Sequence, residues 1–182
     1  MINSMYGMHA YDKDINAEDI ERLSSRMNIP PQRHFYVKEK YYDHVSGMHQ
    51  PNERFQQALL QPMQLRYFDK TGTLEALLVN CDVGGFPNLK WENFNVLDSI
   101  PINSPILSDS LWSIQDEMQF VGSYDGGTIP LSVKAEHQIH MFWSYRMGRQ
   151  AVRLKRLLDK LQQREQNQLE VFYFNIDSLY QD

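Results

Sequence analysis

A chain of 182 residues with 42% hydrophobic and 23% charged residues can bury one sizeable core, which excludes a disordered tail or a disulfide miniprotein and predicts a single domain over 1–182. One cysteine, Cys81, excludes an intrachain disulfide, a two-thiol redox centre and a multi-cysteine zinc site. Eighteen Lys and Arg against 23 Asp and Glu leave −5, an acidic balance that argues against general nucleic-acid binding unless the cations are concentrated in one place.

The first residues, Met1 to Ala10, lack a basic leader followed by an apolar core. No apolar run approaches the roughly 20 residues that cross a bilayer. The chain as given therefore reads as soluble, with no membrane partner and a cytoplasmic location favoured. Asn16 to Met27 opens on a capping residue with acids in the first turn and sets Ile20, Leu23 and Met27 at helical spacing, so residues 1–30 read as a helical N-terminal extension. Pro30-Pro31 ends that helix. His34 to Val37 is a short strand, and Lys40 to Leu60 is helical with breaks near Gly47 and Pro51.

Met63–Phe68 and Thr73–Asn80 flank Asp69-Lys-Thr-Gly72, a turn whose glycine supplies a positive φ, and predict a β-hairpin. Asp69-Lys-Thr-Gly-Thr-Leu74 also spells the phosphorylation motif of P-type ion pumps. Those pumps place the aspartate at the end of a buried parallel strand, whereas here it falls in a hairpin turn, so the structural reading is preferred. Cys81, at the end of the hairpin, has no local base or cationic neighbour and reads as a packed, inert thiol. Residues 83 to 107 form an ordered loop carrying Phe86, Trp91 and Phe94; Ser108 to Met118 is a helix; Tyr124 to Thr128 is a second turn.

The last third predicts a βαβ unit with parallel strands: strand Gln138–Trp143, helix Arg149–Gln166 with Ala151, Leu154, Leu158 and Leu161 as its buried stripe, and strand Leu169–Phe174. Glu136, His137 and His140 are metal-ligand types, but residues three apart on a strand face opposite sides, so no metal or other cofactor is expected. Seven cations and two acids between Arg146 and Glu165 give this segment a local +5 and leave −10 on the remainder. Arg149, Arg153, Arg156, Lys160 and Arg164 recur at helical steps and form one stripe, suited to a solvated face, an acidic partner or nucleic acid. The acidic remainder makes nucleic acid the weakest of these.

Phe142-Trp143-Ser144-Tyr145-Arg146-Met147-Gly148-Arg149-Gln150 resembles the active-site segment of the thioredoxin-like family, where a strand ending Phe-Trp-Ala meets a Cys-Gly-Pro-Cys turn at the start of a helix. Asn175-Ile-Asp177 resembles the Asn-x-Asp that ends the family's next strand. The resemblance implies an α/β fold, a mixed sheet with flanking helices, and redox silence, because Met147 and Gln150 occupy the two cysteine positions. The helix, Pro62, hairpin and helix that would follow in a thioredoxin stand upstream here. The implied layout therefore has rearranged, permuted connections, with the hairpin in the sheet that holds 138 to 143 and a cis-proline at Pro62. A trans Gln61–Pro62 peptide, or a hairpin lying outside that sheet, would sink that layout. The function it implies is non-catalytic binding of a protein or peptide partner along the degenerate edge: Trp143, Tyr145, Arg146, Met147, Arg149, Gln150 and Pro62. The alternative is an enzyme, or a binder, of an anionic or phosphate-bearing ligand at the N-terminus of helix 149–166, held by Arg146 and Arg149.

Overall fold

The structure, a computed structural model, describes residues 14–48, 53–84, 89–91, 97–98, 100–102, 112–124 and 135–177. Helix α1, Ala17–Arg26, starts where the Asn16 side chain accepts from the Asp19 N–H, and stops where Asn28 turns left-handed at φ 52 while the Ile29 N–H reaches back to the Ser24 carbonyl. Strand β1, His34–Val37, precedes α2, Lys40–Gly47, and α3, Glu53–Leu59. The hairpin is β2, Gln64–Phe68, and β3, Leu74–Val79, followed by the single turn α4, Asn80–Val83. Then come α5, Ile114–Met118, β4, Val121–Ser123, β5, His137–Trp143, α6, Gly148–Glu165, and β6, Leu169–Asn175.

All six strands join one mixed sheet in the order β3-β2-β5-β6-β1-β4. β5, β6 and β1 run parallel, and β2, β3 and β4 pair antiparallel to their neighbours. The chain is thus α/β with a six-stranded mixed sheet and flanking helices. Alternation along the strands divides the core in two. Ile139, Met141 and Trp143 face α1 and α6 with Leu154 and Leu158, whereas Phe142 lies on the other face with Phe174, Tyr41 of α2 and Phe55 of α3. The long apolar stripe on α6 is what the parallel pair β5–β6 buries.

Several expectations are corrected. Gln61–Pro62 is trans, the cis peptide among the described residues being Ile100–Pro101, so Pro62 is not a cis-proline, even though the hairpin does lie in the sheet beside β5. Of the helix expected from Ser108, residues 108 to 111 lie outside the described residues; over the rest it runs Ile114–Met118, started by a reciprocal capping box between Ser113 and Asp116. Phe86, Phe94 and the turn beyond Tyr124 lie outside the described residues. Cys81 is exposed in α4 rather than packed, and its Sγ donates to Gln61 Oε1 at 3.0 Å. The hairpin turn is as expected: Asp69 Oδ1 accepts from the Thr71 and Thr73 N–H groups, both at 2.9 Å, and Gly72 takes φ 80. With its carboxylate occupied by the turn's own donors, Asp69 acts as a turn residue.

The α2–α3 face also encloses charge. Arg66, on β2, is fully buried, stacks 3.8 Å from the Phe142 ring centroid, and donates to Glu117 Oε2 at 2.7 Å, Tyr41 Oη at 2.5 Å and Gln64 Oε1 at 2.7 Å. Glu117, of α5, also meets His140 Nδ1, and Trp112 Nε1 donates to it at 3.4 Å. Burial raises the Glu117 carboxyl, but Arg66 and His140 outweigh burial and hold it below its ordinary value. Removing one member leaves the others charged and dry, so Glu117→Gln is expected to cost on the order of 3–5 kcal/mol in denaturant unfolding. The double variant Arg66→Met/Glu117→Leu should cost less than the single one. A loss below about 1 kcal/mol for Glu117→Gln would contradict this account.

Candidate functional site

In open α/β sheets, ligands gather outside the carboxyl ends of the parallel strands. Here β5 and β6 end level with each other, Trp143 opposite Asn175, and their ends are tied by one buried carboxylate. Ser144 Oγ donates to Asp177 Oδ1 at 2.5 Å, while the Tyr145 N–H and Asn175 Nδ2 each donate to Asp177 Oδ2 at 2.6 Å. Asn175 Oδ1 in turn accepts from the Asp177 N–H at 3.1 Å. Burial pushes the Asp177 carboxyl above its ordinary value despite these donors and Arg146. Asn175-Ile-Asp177 is therefore a clamp that fixes the turn 144–147, and Gly148, at φ 39, lets the chain swing from that turn into α6.

α1 lies over this turn. Tyr145 and Met147 pack into the same core as Ile20, Leu23 and Met27, and Arg22, paired with Asp19, donates to Tyr145 Oη at 3.0 Å. The consequence for the expected edge is direct. Trp143, Tyr145, Met147 and Gln150 are buried, Arg146 and Pro62 are half-buried, and Arg149 alone of the seven is exposed. The N-terminal extension, which the sequence marks as a helix but cannot dock, covers the edge that was expected to be open. The Asp177 carboxylate accepting the Tyr145 N–H also puts negative charge just before α6, which disfavours an anion there.

The basic stripe forms as expected, with Arg149, Arg156, Lys160 and Arg164 exposed and Arg153 half-buried. Its charge is partly neutralised within the helix: Arg164 Nε pairs with Glu165 at 2.9 Å, and the neighbouring Lys155, buried, reaches Asp159 at 2.6 Å. His137 and His140 face opposite sides, toward Tyr67 and Glu117 respectively.

Beside the covered turn is an opening that the sequence did not signal. A cavity of about 390 Å3 lies between α1 and the β1–β4 end of the sheet, lined by Ala17, Ile20, Glu21, Ser24 and Ser25 from α1 and by Ile29, Pro31, His34 and Tyr124. His34 is 9% exposed, stacks 5.6 Å from Trp143 and lies 4.5 Å from Tyr124 between ring centroids, and its Nε2 has no hydrogen-bond partner among the described residues. Tyr36 meets Tyr124 edge-on at 5.2 Å and lies across Gly122, where a Cβ would come within 2.4 Å of its ring. No local pattern announces this aromatic wall, because its members come from two strands, β1 and β5, and the turn after β4. Among the described residues no cluster of ligating side chains could hold a metal.

Compared with protein-family models, with curated proteins and with solved structures, the chain gives no match.

Burial lowers the His34 imidazole to about 4 from the ordinary 6.5. Between those pH values the unfolded chain binds the proton that the folded chain refuses, so the stability from the neutral ring is complete above pH 6.5 and is lost as pH falls toward 4. The loss is on the order of 3 kcal/mol. Asp177, raised in the fold, contributes the opposite slope, so the comparison with His34→Phe isolates the histidine. Denaturant melts across this range should show the variant losing less stability on acidification than the parent. Equal slopes would refute a buried neutral His34.

Proposed function

We propose that the chain is a redox-silent, non-catalytic binding protein of thioredoxin-like layout, and that its ligand, a side chain of a protein or peptide partner or a molecule of that size, enters the cleft between α1 and the β1–β4 end of the sheet. The observation that carries this reading is the cavity of about 390 Å3 with, in its wall, a buried imidazole whose Nε2 has no partner among the described residues, since buried polar atoms are ordinarily satisfied. The layout is supported by the parallel β5–α6–β6 unit and by the hairpin pairing with β5 in the same sheet. The trans peptide at Gln61–Pro62 speaks against the permuted layout with its cis-proline as well as against a family-type proline subsite, and Pro62 has no part in the reading. Redox silence rests on Met147 and Gln150, both buried where the family has its thiols.

Two measurements test it. Insulin reduction by the chain should not exceed the buffer rate, and turnover there would overturn the redox-silent half. In a fragment screen followed by amide NMR, shifts should gather on Ile20 to Ile29, His34 and Tyr124, and Ser25→Trp, a substitution at an exposed cavity-lining position, should suppress them. Ligands mapping instead to Arg156 and Lys160, with affinity falling steeply in salt, would favour nucleic acid on the α6 stripe.

A further inference from the structure

The cleft offers an ion little. Its apolar surface comes from Ala17, Ile20, Ile29 and Pro31, and its aromatic surface from His34 and Tyr124. Of its polar members, the Ser24 hydroxyl donates to the Glu21 carbonyl at 2.9 Å within α1, and Ser25 and Glu21 are exposed to solvent. No Lys or Arg stands among the described lining residues. The His34 Nε2 is buried and so is not presented to a ligand, and burial alone moves the imidazole, with no carboxylate close enough to offset it. An anion in the cleft meets no cation, and an ammonium meets only a carboxylate that water already screens. Either ion loses its hydration with little in return.

Aromatic contact is what the wall provides instead. Trp143, His34, Tyr124 and Tyr36 follow one another at ring-centroid separations of 5.6, 4.5 and 5.2 Å, the last contact edge-on. Tyr124 borders the cavity and keeps 47% of its surface exposed after both of these ring contacts, so aromatic surface is left over for a ligand. Rings in such a series gain from offset or edge-on geometry beyond the area they bury. A volume of about 390 Å3 lies near the lower end of the roughly 300–1,000 Å3 of ligand cavities, which suits one ring or two fused rings.

Resting on the cleft reading above, we infer that this cavity binds an uncharged aromatic ring system, set against Tyr124 on one side and Ile20, Ile29 and Pro31 on the other. The test uses four probes of one shape: naphthylmethanol, its saturated decalin analogue, naphthoate and naphthylmethylammonium. Each is titrated into the full chain at pH 7, with affinities from amide shifts. Naphthylmethanol should bind about threefold to tenfold more tightly than the decalin alcohol, and at least about tenfold more tightly than either ion. Tyr124→Leu, at an exposed position, should bring the two alcohols within about twofold while both ions stay weak. If either ion or the decalin alcohol binds as tightly as naphthylmethanol, with shifts still in the cleft, this inference fails and the cleft reading stands. If no probe gives shifts there and Ser25→Trp alters no fragment binding, both fail.

Discussion

A guanidinium placed on the middle of a sheet, away from water, has only the groups around it to neutralise its charge and satisfy its five donors. Arg66 meets that demand with Glu117 from α5, Tyr41 from α2 and Gln64 from its own strand, and Glu117 in turn engages His140 on β5. Gln64 Nε2 and Tyr41 Oη both then donate to the Leu59 carbonyl at the end of α3. One buried ion pair thereby fixes three helices against two strands. The aromatic floor of Phe142 beneath the guanidinium completes the enclosure. Because no member can leave without stranding a charge, the α2–α3 face is held in one arrangement.

On that second face the controlling element is the Asp177 clamp. It joins the ends of β5 and β6, orients the turn 144–147 and so sets where α6 begins. α1 then packs on the turn through Tyr145 and Met147, with Arg22 on the tyrosine hydroxyl. Covering the turn in this way displaces the opening sideways, toward β1 and β4, where His34 and Tyr124 stand with an unfilled space between them and α1. The position of the cleft is thus a consequence of where the N-terminal helix docks. The electrostatics follow the same logic: Asp177 supplies the negative charge next to the start of α6, and the imidazole that borders the cleft is neutral.

Local chemistry made much of the fold legible. Asn16 and the acids after it mark α1, Asp69-Lys-Thr-Gly72 the hairpin turn, and the apolar stripe of α6 between two apolar strands the parallel unit, whereas α1 ends at the left-handed Asn28, ahead of Pro30-Pro31. These features depend on neighbours within a turn or two. Less legible were the capping box at Ser113 that starts α5 and the state of Cys81, which a one-turn helix turns outward. Pro62 showed how far order along the chain can be trusted. A hairpin after a proline was enough to place the strands side by side, but the isomer of the peptide depends on surroundings that order does not specify.

The candidate site divides along the same line. The residues Trp143 to Gln150 stand out by type and spacing, and the sequence alone determined that they form a strand end and helix start without thiols, within a basic stretch of an acidic chain. Whether they are open to a partner was decided by tertiary structure, because burial depends on α1, more than a hundred residues away in the chain. The same holds for the cleft: Ser24, His34, Tyr124 and Trp143 carry no mutual spacing, and only the sheet order and the docking of α1 bring them to one place. Periodicity and capping act over a few residues and can be read directly. A cavity is a relation between elements distant in sequence, and exists only once their packing is set.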